Sequence, residues 1–430
     1  MTSSPITRIG PKQLLLGSFR AAVGAADPLK ILPPHLPAPP RGRTLVVGAG
    51  KAAASMALAV EQHWPVGAAL EGTVLTRYGH GLPTRRIKVV EAGHPVPDTS
   101  GELAAREIFR TVEGLASNDL LLVLVSGGGS ALLAFPAVGV PMDALRQTTR
   151  DLLRSGAPIQ DMNIVRKHLS AIHGGRLAAA CRAHVLALII SDVTGDDPTH
   201  IASGPCAPDP STYGEALEII ARYGVDPPAS VKEHLERGAL GEIPETPKPG
   251  DKIFARVENR VIATARQSLQ AASDFFGQQG VPASIIGDSV TGEAREVGKA
   301  QGALARRISK SGPEKPPVAL ISGGECTVTV RGEGRGGRCT EFLLSLGIEL
   351  AGLPNAQAIA CDTDGIDGSE DNAGAVLLPD SLDRAVKLGL DAGGLLADND
   401  SYSFFSRIGD LVVTGPTRTN VNDYRAILLT

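Results

Sequence analysis

A lysine directly after a glycine-rich turn is the first feature of the sequence that could do chemistry. In the segment GAGKAAASM, Lys51 follows Gly48 and Gly50 and opens a helix-like stretch. Free backbone N–H groups and the positive end of a helix dipole favour an anion there, and the lysine adds a full charge. A Walker A loop, G-x-x-x-x-G-K-[ST], occurs nowhere in the chain. Lys51 is a candidate ligand for phosphate or carboxylate, and a surface lysine after an ordinary turn is the alternative.

A second glycine-rich loop lies in the segment SGGGSALL. It consists of Ser126, Gly127, Gly128, Gly129 and Ser130. Three successive glycines let the backbone fold closely around a ligand and direct several N–H groups at one point, while the serines offer hydroxyl groups. This loop is a candidate phosphate-binding cradle, although glycine turns also serve to pack a helix tightly on a sheet.

Carboxylates follow an apolar run in the segment SDVTGDDPTHIASGPCAPD. A Mg²⁺ site needs one or two protein carboxylates, with water and phosphate oxygens completing the octahedron. Asp192, at the end of the apolar run, is the stronger candidate ligand and Asp197 the weaker one. The alternative is that Asp196 or Asp197 caps the following turn.

The segment ISGGECTVTVRGEGRGGRCTE contains the spacing G-x-G-x-x-G at Gly332, Gly334 and Gly337. Taken literally, this spacing suggests a dinucleotide-binding fold and an oxidoreductase. We predict a strand over residues 327–331, but it alternates in polarity and charged residues crowd the turn. Arg338 offers a planar fork to a carboxylate or phosphate, so the loop is interpreted as an anion clamp.

Further acidic residues follow apolar runs in the second half of the chain. Glu325 follows one such run, and the segment CDTDGIDGSEDNAGA contains Asp362, Asp364 and Asp367. The latter is not a calcium loop, because Ile366 occupies the third ligand position and no glutamate stands at the twelfth. The three aspartates are candidates for a metal or nucleotide site, with turn formation as the alternative.

The segment MNIVRKHLSAIHGGRLA predicts a helix with polar groups on more than one face. Asn163 and Lys167 are four residues apart, as are Arg166 and Ser170. A solvated helix face is the favoured interpretation of these residues.

The elements that position these motifs form a repeated pattern. A short apolar run ends in a glycine or an acidic residue and is followed by a helix-like stretch. Apolar runs at residues 44–47, 120–125 and 185–190 predict strands buried on both faces, hence a parallel sheet covered by helices. The fold class is α/β, with a doubly wound, Rossmann-like first half. In such sheets ligands bind at the carboxyl ends of the strands, where the motifs lie.

The second half resumes after a stretch rich in proline and glycine. Residues 238–252, GALGEIPETPKPGDK, lack periodicity and predict a linker, which places one domain over residues 1–245 and a second α/β domain over residues 250–430. Strands at 260–263, 283–286 and 318–321 and a helix at 266–278 follow. A second proline-rich stretch, residues 312–317, is predicted to be a surface loop.

Composition excludes several classes of function. The 430 residues contain 42 Lys+Arg against 46 Asp+Glu and only 3% aromatic residues, which disfavours a nucleic-acid partner. No apolar run approaches the ~18 residues that span a bilayer, and the N-terminus lacks the compact apolar run of a secretory signal, so no membrane partner and a cytoplasmic location are expected. Five scattered cysteines without CxxC spacing indicate neither disulfides nor zinc.

Taken together and in order, the motifs resemble those of the class II glycerate kinases, whose C-terminal portion is the MOFRL domain. The resemblance is carried by GAGKA, SGGGSALL, NIVRKHLS, SDVTGDDPTHIASGP, ISGGE with GRGGR, DTDGIDG and TGPTRTNVND. It implies ATP- and Mg²⁺-dependent phosphorylation of D-glycerate, with 2-phosphoglycerate and ADP as products. It also implies a Rossmann-like N-terminal domain, a MOFRL-type α/β domain and an active site in the cleft between them.

By the same resemblance, Lys51 and Arg338 correspond to the active-site lysine and arginine of the family. Two positions depart from its usual pattern: Cys339 stands where asparagine is more common, and His173 where lysine often precedes the glycines. Some members have been labelled hydroxypyruvate reductases, so an NAD(P)H-dependent reductase is the alternative function. The expected assembly is a monomer or a homodimer.

The resulting hypothesis assigns one role to each motif. Residues 126–130 hold the nucleotide phosphates, Asp192 and Asp197 hold Mg²⁺, and Asp192 is also counted among the catalytic residues. Lys51 stabilises the transferred phosphoryl group and is also counted among the substrate-binding residues. Arg338 clamps the glycerate carboxylate, and Glu325 contacts the substrate. Phosphoryl transfer asks mainly for such positioning and charge neutralisation.

Overall fold

The computed structural model describes residues 9–310 and 317–430. Its contacts divide the chain into two compact units. The first unit is Pro28–Ile262, and the second unit combines the residues up to Asp27 with Ala263–Thr430. Residues 311–316 lie outside the described residues, and with them most of the surface loop predicted at 312–317. No helix among the described residues is both long enough and apolar enough to cross a membrane.

The first helix of the chain, α1 (Pro11–Gly24), belongs to the second unit. Its apolar face, which includes Leu15 and Phe19, shares a core cluster with Leu269 and Phe276 from the second half of the sequence. The division by composition places these N-terminal residues in the first domain. Helical periodicity shows which face of α1 is apolar but carries no information about which distant surface covers it.

The unit Pro28–Ile262 is built on one six-stranded sheet with the order β3-β2-β1-β4-β5-β6. Its strands are β1 (Thr44–Ala49), β2 (Leu70–Arg77), β3 (Ile87–Ala92), β4 (Leu120–Val125), β5 (His184–Ile190) and β6 (Val257–Ala263). Its helices are α2 (Pro28–Ile31), α3 (Ala53–His63), α4 (Thr99–Glu113), α5 (Gly129–Leu132), α6 (Met142–Arg154), α7 (Ile159–His168), α8 (Arg176–Ala180), α9 (Tyr213–Arg222) and α10 (Ala229–Ala239), with short 3₁₀ turns at Pro33–His35, Ile201–Ser203 and Lys252–Arg256.

The pairings from β3 through β5 are all parallel, which confirms the predicted doubly wound sheet. Strands β1 and β4 are buried along their whole length, as their continuous apolar sequences require. Because β1 pairs with β2 on one side and with β4 on the other, the strand order reverses direction at β1. The crevice outside the carboxyl ends of β1 and β4 is therefore the topological switch point of the sheet.

The segment at residues 238–252 is mostly irregular, as predicted, but it packs on the first unit. Pro247 accepts a hydrogen bond from the amide of Asp209 at 2.9 Å, and Glu245 accepts one from the amide of Tyr213 at 2.9 Å. Thr246 between them is buried. The contacts divide the chain only after Ile262, whereas the composition of the segment predicts a boundary at 245–250.

The second unit is also α/β, with a mixed sheet of order β11-β10-β9-β12-β8-β7. Among the pairings that the described residues form, β7–β8 is parallel, whereas β8–β12, β12–β9, β9–β10 and β10–β11 are antiparallel. Its strands are β7 (Ala283–Gly287), β8 (Val318–Gly324), β9 (Ala356–Asp362), β10 (Gly374–Leu377), β11 (Leu411–Val412) and β12 (Asp423–Leu429). Its remaining helices are α11 (Ala265–Gln278), α12 (Ala294–Ser309), α13 (Arg338–Leu350), α14 (Ser381–Lys387), α15 (Ala392–Ala397) and α16 (Ser401–Ile408).

The strand predicted over residues 327–331 is wrong. This segment is irregular apart from an isolated bridge between Thr327 and Glu293. The polarity of the segment alternates because Val328 is partly buried against the core while its neighbours Thr327 and Thr329 are exposed. A loop can produce this alternation as well as a strand can.

Candidate functional site

The glycine turn that carries Lys51 fits closely against the neighbouring strand β4. A Cβ atom on Gly48 would lie 2.0 Å from the carbonyl oxygen of Leu124, and one on Gly50 would lie 2.1 Å from Ser126 Oγ. Gly50 also has a φ of +141°, which side chains rarely adopt. The backbone amide of Lys51 donates to the carbonyl of Gly127 at 2.9 Å. The two glycine-rich loops predicted to bind anions are thus hydrogen-bonded to each other at the switch point.

The two serines of the second loop have different environments. Ser126 is fully buried, and its Oγ accepts a hydrogen bond from the amide of Ala52 at 3.0 Å, so this hydroxyl supports the start of α3. Ser130 is only partly buried, and its Oγ lies 2.8 Å from Ser203 Oγ. Of the two predicted hydroxyl ligands, Ser130 is the one placed to meet a ligand.

Two of the three glycines between these serines, Gly128 and Gly129, serve the turn itself. Gly128 has a φ of +81° and precedes α5, and a Cβ on it would lie 2.8 Å from the ring of His94. A Cβ on Gly129 would lie 2.6 Å from the Cβ of Ala202. Side chains are excluded at both positions by the protein's own packing, independently of any ligand.

The carboxylates predicted to bind metal lie after β5. Asp192 is partly buried, whereas Asp197 is exposed and its Oδ1 accepts a hydrogen bond from the amide of Thr199 at 3.0 Å. With this bond Asp197 caps the following turn, which is the alternative role that its sequence context predicts. In residues 9–310 and 317–430, no group of three or more His, Cys, Asp or Glu side chains is arranged to hold a metal ion. A Mg²⁺ ion needs fewer protein ligands than that when phosphate oxygens complete its shell.

The polar residues of α7 are not a solvated face, so that interpretation is wrong. Lys167 is buried, and its Nζ lies 3.3 Å from Oδ1 of the fully buried Asp209 and 3.4 Å from Thr199 Oγ1. Burial raises and Lys167 lowers the pKa of Asp209, and with the hydrogen bonds from Ser211 the net effect is a lowered pKa. Asp209 is distant in sequence, and periodicity alone could not pair it with Lys167.

A small cavity of about 20 Å³ lies beside α7, with Ser130, Arg146, Arg166 and His173 among its lining residues. His173 is buried, and no atom of the described residues forms a hydrogen bond with its Nε2. Burial, together with the nearby charges of Arg166 and other cations, lowers the pKa of His173 to about 3, so its ring is neutral at neutral pH. Sequence reasoning named both Arg166 and His173 but did not select either as a ligand.

Arg338 begins α13 and is surrounded by carboxylates. Its Nε donates to Asp423 Oδ1 at 2.8 Å, its Nη2 donates to Asp362 Oδ2 at 2.6 Å, and its Nη1 lies 3.3 Å from Glu325 Oε1. Burial lowers the pKa of Arg338, but these three carboxylates outweigh burial and hold it well above the ordinary value. Asp362 and Asp423 are buried, whereas Glu325 is exposed.

Asp423 also binds a second arginine. Its Oδ2 accepts a hydrogen bond at 2.6 Å from Nη2 of Arg425, which is itself buried. The motif NVND ends at Asp423, but sequence reasoning did not identify Asp423 or Arg425 as part of the site. The two buried carboxylates Asp362 and Asp423 therefore fix Arg338 in place, and its third carboxylate neighbour is the exposed Glu325.

Asp364 and Asp367 are used within the fold. Asp364 Oδ1 accepts a hydrogen bond from the amide of Ile366 at 2.8 Å, a local turn contact. Asp367 is buried and accepts hydrogen bonds from the amides of Cys339 and Thr340, both at 2.9 Å. It thereby occupies the N-terminus of α13, where an anion is favoured. Cys339, one of the two departures from the family pattern, points into a hydrophobic core cluster.

The G-x-G-x-x-G loop binds a segment of its own chain. The amides of Arg331 and Gly332 donate to Asn399 Oδ1 at 2.7 and 3.1 Å. Those of the next three residues bond as follows: Glu333 to Asp398 Oδ1 at 3.1 Å, Gly334 to the carbonyl of Asp398 at 3.0 Å and Arg335 to Asp400 Oδ1 at 3.1 Å. Added Cβ atoms on Gly332 and Gly334 would clash with the same acidic segment, at 2.2 and 2.4 Å. The amides that would hold a pyrophosphate are already occupied by residues 398–400.

A surface cavity of about 630 Å³ lies elsewhere on the first unit. It is lined by β1, β2 and β3 residues such as Val47, Thr73 and Lys88 and contains none of the predicted site residues. Ligands of doubly wound sheets bind at the carboxyl ends of the strands, so size alone does not make this cavity the functional site.

Comparison with known proteins identifies relatives over nearly the whole chain. Residues 14–236 match the family described as a domain of unknown function, DUF4147, and residues 318–423 match the MOFRL family. A protein from Agrobacterium vitis named "Putative hydroxypyruvate reductase" is 50% identical, with the match covering 98% of this chain and 95% of that protein. Glycerate 2-kinase from Pyrococcus horikoshii is 39% identical, covering 91% of this chain and 88% of that protein. The crystal structure of a glycerate kinase from Thermotoga maritima superimposes with a TM-score of 0.85 at 37% identity, covering 97% of this chain and 99% of that one.

Proposed function

Because the chain belongs to the class II glycerate kinases, a family of enzymes, we propose that it transfers the terminal phosphoryl group of ATP to D-glycerate. The products of the proposed reaction are 2-phosphoglycerate and ADP. The relative from Pyrococcus horikoshii is named a glycerate 2-kinase, which supports phosphorylation at the second carbon. The substrate is a small molecule, in keeping with the charge balance of the chain.

The observation that carries the proposal is the hydrogen bond between the two glycine-rich loops at the switch point. The amide of Lys51 binds the carbonyl of Gly127 at 2.9 Å, so a lysine and a triple-glycine turn lie together outside β1 and β4. Doubly wound sheets bind nucleotides in that crevice, with phosphate groups against glycine-rich turns and helix N-termini. In this proposal Gly127, Gly128 and Gly129 hold the nucleotide phosphates, and Lys51 stabilises the transferred phosphoryl group.

Arg338 and Asp192 complete the proposed set of catalytic residues. The guanidinium of Arg338 is fixed by Asp362 and Asp423, and its Nη1, which faces the exposed Glu325, can bind a negatively charged substrate group. Asp192 has the hard oxygen donors that Mg²⁺ prefers, and it follows a buried strand as a metal ligand at a strand end would. When bound, Mg²⁺ would neutralise charge on the phosphate oxygens. Asp197 could supply a second ligand oxygen to Mg²⁺ only while its Oδ1 also accepts the hydrogen bond from the amide of Thr199.

The reductase is the alternative function, and two relatives from Agrobacterium vitis carry that name. The G-x-G-x-x-G loop gives it little support, because five consecutive amides from Arg331 to Arg335 are bound to residues 398–400 of the same chain. A pyrophosphate would have to displace that segment and break those hydrogen bonds.

Two parallel assays test the proposed function. The purified protein is given ATP, Mg²⁺ and D-glycerate, and ADP release is coupled to NADH oxidation while ³¹P NMR identifies the phosphorylated carbon. In the second assay it is given hydroxypyruvate with NADH or NADPH and no ATP. Turnover only in the first assay, with 2-phosphoglycerate as product, is the expected result. Turnover only in the second would replace the kinase by the reductase, and tight ATP binding without turnover in either would indicate a nucleotide-binding regulator.

A further inference from the structure

The cavity beside α7 contains a positive charge, that of Arg166, with no partner in the part of the chain that the structure describes. Among the described residues, Arg166 makes no ion pair or hydrogen bond, and burial lowers its pKa. The neighbouring cations differ, since Lys167 pairs with Asp209 and Arg176 donates to the carbonyl of Lys167 at 2.8 Å. Arg166 is only partly buried, but burial still disfavours its charge and no carboxylate among the described residues offsets this, so a bound anion would stabilise it.

Other polar atoms in the cavity are suited to the same anion. The buried Nε2 of His173 has no partner among the residues for which the structure gives positions, and a neutral ring protonated on Nε2 can donate one hydrogen bond. Ser130 Oγ shares a single hydrogen bond of 2.8 Å with Ser203, so one of these two hydroxyl protons is available to a ligand. Arg146 lines the same cavity, where its Nε is buried without a partner while its Nη1 donates to Asp143 at 3.0 Å.

We propose that this cavity, the Arg166 pocket, binds the carboxylate of a small hydroxy acid through the guanidinium of Arg166, His173 Nε2 and the hydroxyl of Ser130. Under the proposed function the hydroxy acid is D-glycerate, and the inference rests on that function. It moves the substrate carboxylate from Arg338, to which the sequence assigned it, to Arg166. It also assigns Ser130 to the substrate rather than to the nucleotide.

Size and donor count favour a carboxylate over a phosphate. The cavity has room for about 20 Å³, which suits a single small group rather than a phosphate with its attached nucleotide. A planar carboxylate has about four lone-pair directions, and the fork of Arg166, His173 and Ser130 together offer about four donors. By contrast, all three donor positions of the Arg338 guanidinium already face carboxylates.

Steady-state kinetics of three variants test the Arg166 pocket. Arg166→Met removes the charge but keeps an apolar stem, and Arg166→Lys restores a charge without the fork. Arg150→Met is the matched control, because Arg150 is an exposed arginine on the adjacent helix α6. We expect Arg166→Met to raise the KM for D-glycerate about 10- to 100-fold and to change the KM for ATP less than about 2-fold, with Arg166→Lys in between and the control near wild type.

Thermal shift keeps the test independent of turnover. D-glycerate should raise the Tm of the wild type but not of Arg166→Met, while glycerol, which lacks the carboxylate, should shift neither protein. Without ligand, Arg166→Met should melt at or above the wild-type Tm, because it loses an uncompensated charge. If wild type shows this carboxylate-dependent shift but no kinase turnover, the proposed function fails and the pocket stands.

Three outcomes would overturn the Arg166 pocket. They are an unchanged KM for D-glycerate in Arg166→Met, a rise confined to the KM for ATP, and equal stabilisation of wild type and Arg166→Met by D-glycerate. A shift produced by inorganic phosphate and not by D-glycerate would likewise replace the carboxylate site by a phosphate site.

Discussion

The carboxylate of Asp367 accepts two hydrogen bonds from Thr340, one from the backbone amide of Thr340 at 2.9 Å and one from the hydroxyl of Thr340 at 2.8 Å. A third bond, from the amide of Cys339, completes the cap of the helix that Arg338 begins. Burial raises the pKa of Asp367, and the three hydrogen bonds offset this only in part. A carboxylate distant in sequence thus fixes the backbone that positions Arg338.

Asp367→Ala should lower the free energy of unfolding by about 2–4 kcal/mol, because two amides and a hydroxyl lose their buried acceptor. Asp367→Asn, which keeps one oxygen, should cost about half as much. Chemical denaturation monitored by circular dichroism measures both. Asp371→Ala is the control: Asp371 is exposed and contacts the hydroxyl of Tyr402 at 3.1 Å, so its loss should cost less than about 0.5 kcal/mol. Equal costs at the two positions would contradict the capping role.

Lys51→Ala should reduce kcat by about 10²-fold or more, since its charge is proposed to act mainly in the transition state. The Tm should change little, because the Lys51 backbone amide that binds Gly127 remains. The coupled kinase assay measures kcat, with Lys88→Ala, an exposed lysine 3.6 Å from Glu107, as the charge-matched control. Near-wild-type turnover in Lys51→Ala would remove Lys51 from the mechanism.

Arg338→Lys should lower stability as well as activity, because an ammonium cannot bind Asp362 and Asp423 together as the planar fork does. We expect a loss of about 1–3 kcal/mol in the free energy of unfolding and at least a 10-fold loss in kcat/KM. Glu325→Gln is the companion variant. Its exposed side chain should leave stability within about 0.5 kcal/mol of wild type. Equal stability of the two variants would show that the fork does not hold the buried carboxylates.

Stability should fall as the pH falls below about 6.5, because His173 is neutral in the folded protein. Its folded pKa of about 3 is below the ordinary histidine value of 6.5, so the unfolded chain binds the proton first as the pH falls. The stability from this residue is fully present above pH 6.5 and is lost as the pH falls toward 3. Between pH 7.5 and 4.5 the unfolding free energy should decline more steeply in the wild type than in His173→Gln. The difference between the two slopes should reach up to about 1.4 kcal/mol per pH unit. Parallel declines in both proteins would contradict burial of a neutral His173.

The fold follows closely from local sequence patterns. Residues 120–125 were predicted as a strand and form β4, and the apolar runs at 44–47 and 185–190 lie within β1 and β5. These predictions succeed because a strand buried on both faces must be apolar throughout, which is visible without any neighbour. The segment at 327–331 failed for the converse reason, since alternation alone does not distinguish a half-exposed strand from a loop.

The sequence by itself determined the α/β fold, the family and the glycine-rich turns, because each depends on residues that are neighbours along the chain. Only the tertiary structure decided that Ser126 supports α3 while Ser130 faces a cavity. It also decided that Arg338 is surrounded by carboxylates while Arg166 pairs with none of those within residues 9–310 and 317–430. Those differences depend on partners distant in sequence, such as Asp423, and on desolvation by residues from several elements. A charged side chain in a sequence shows what it can bind, but the free energy of an anion beside it depends on the counter-charges that folding has already brought there.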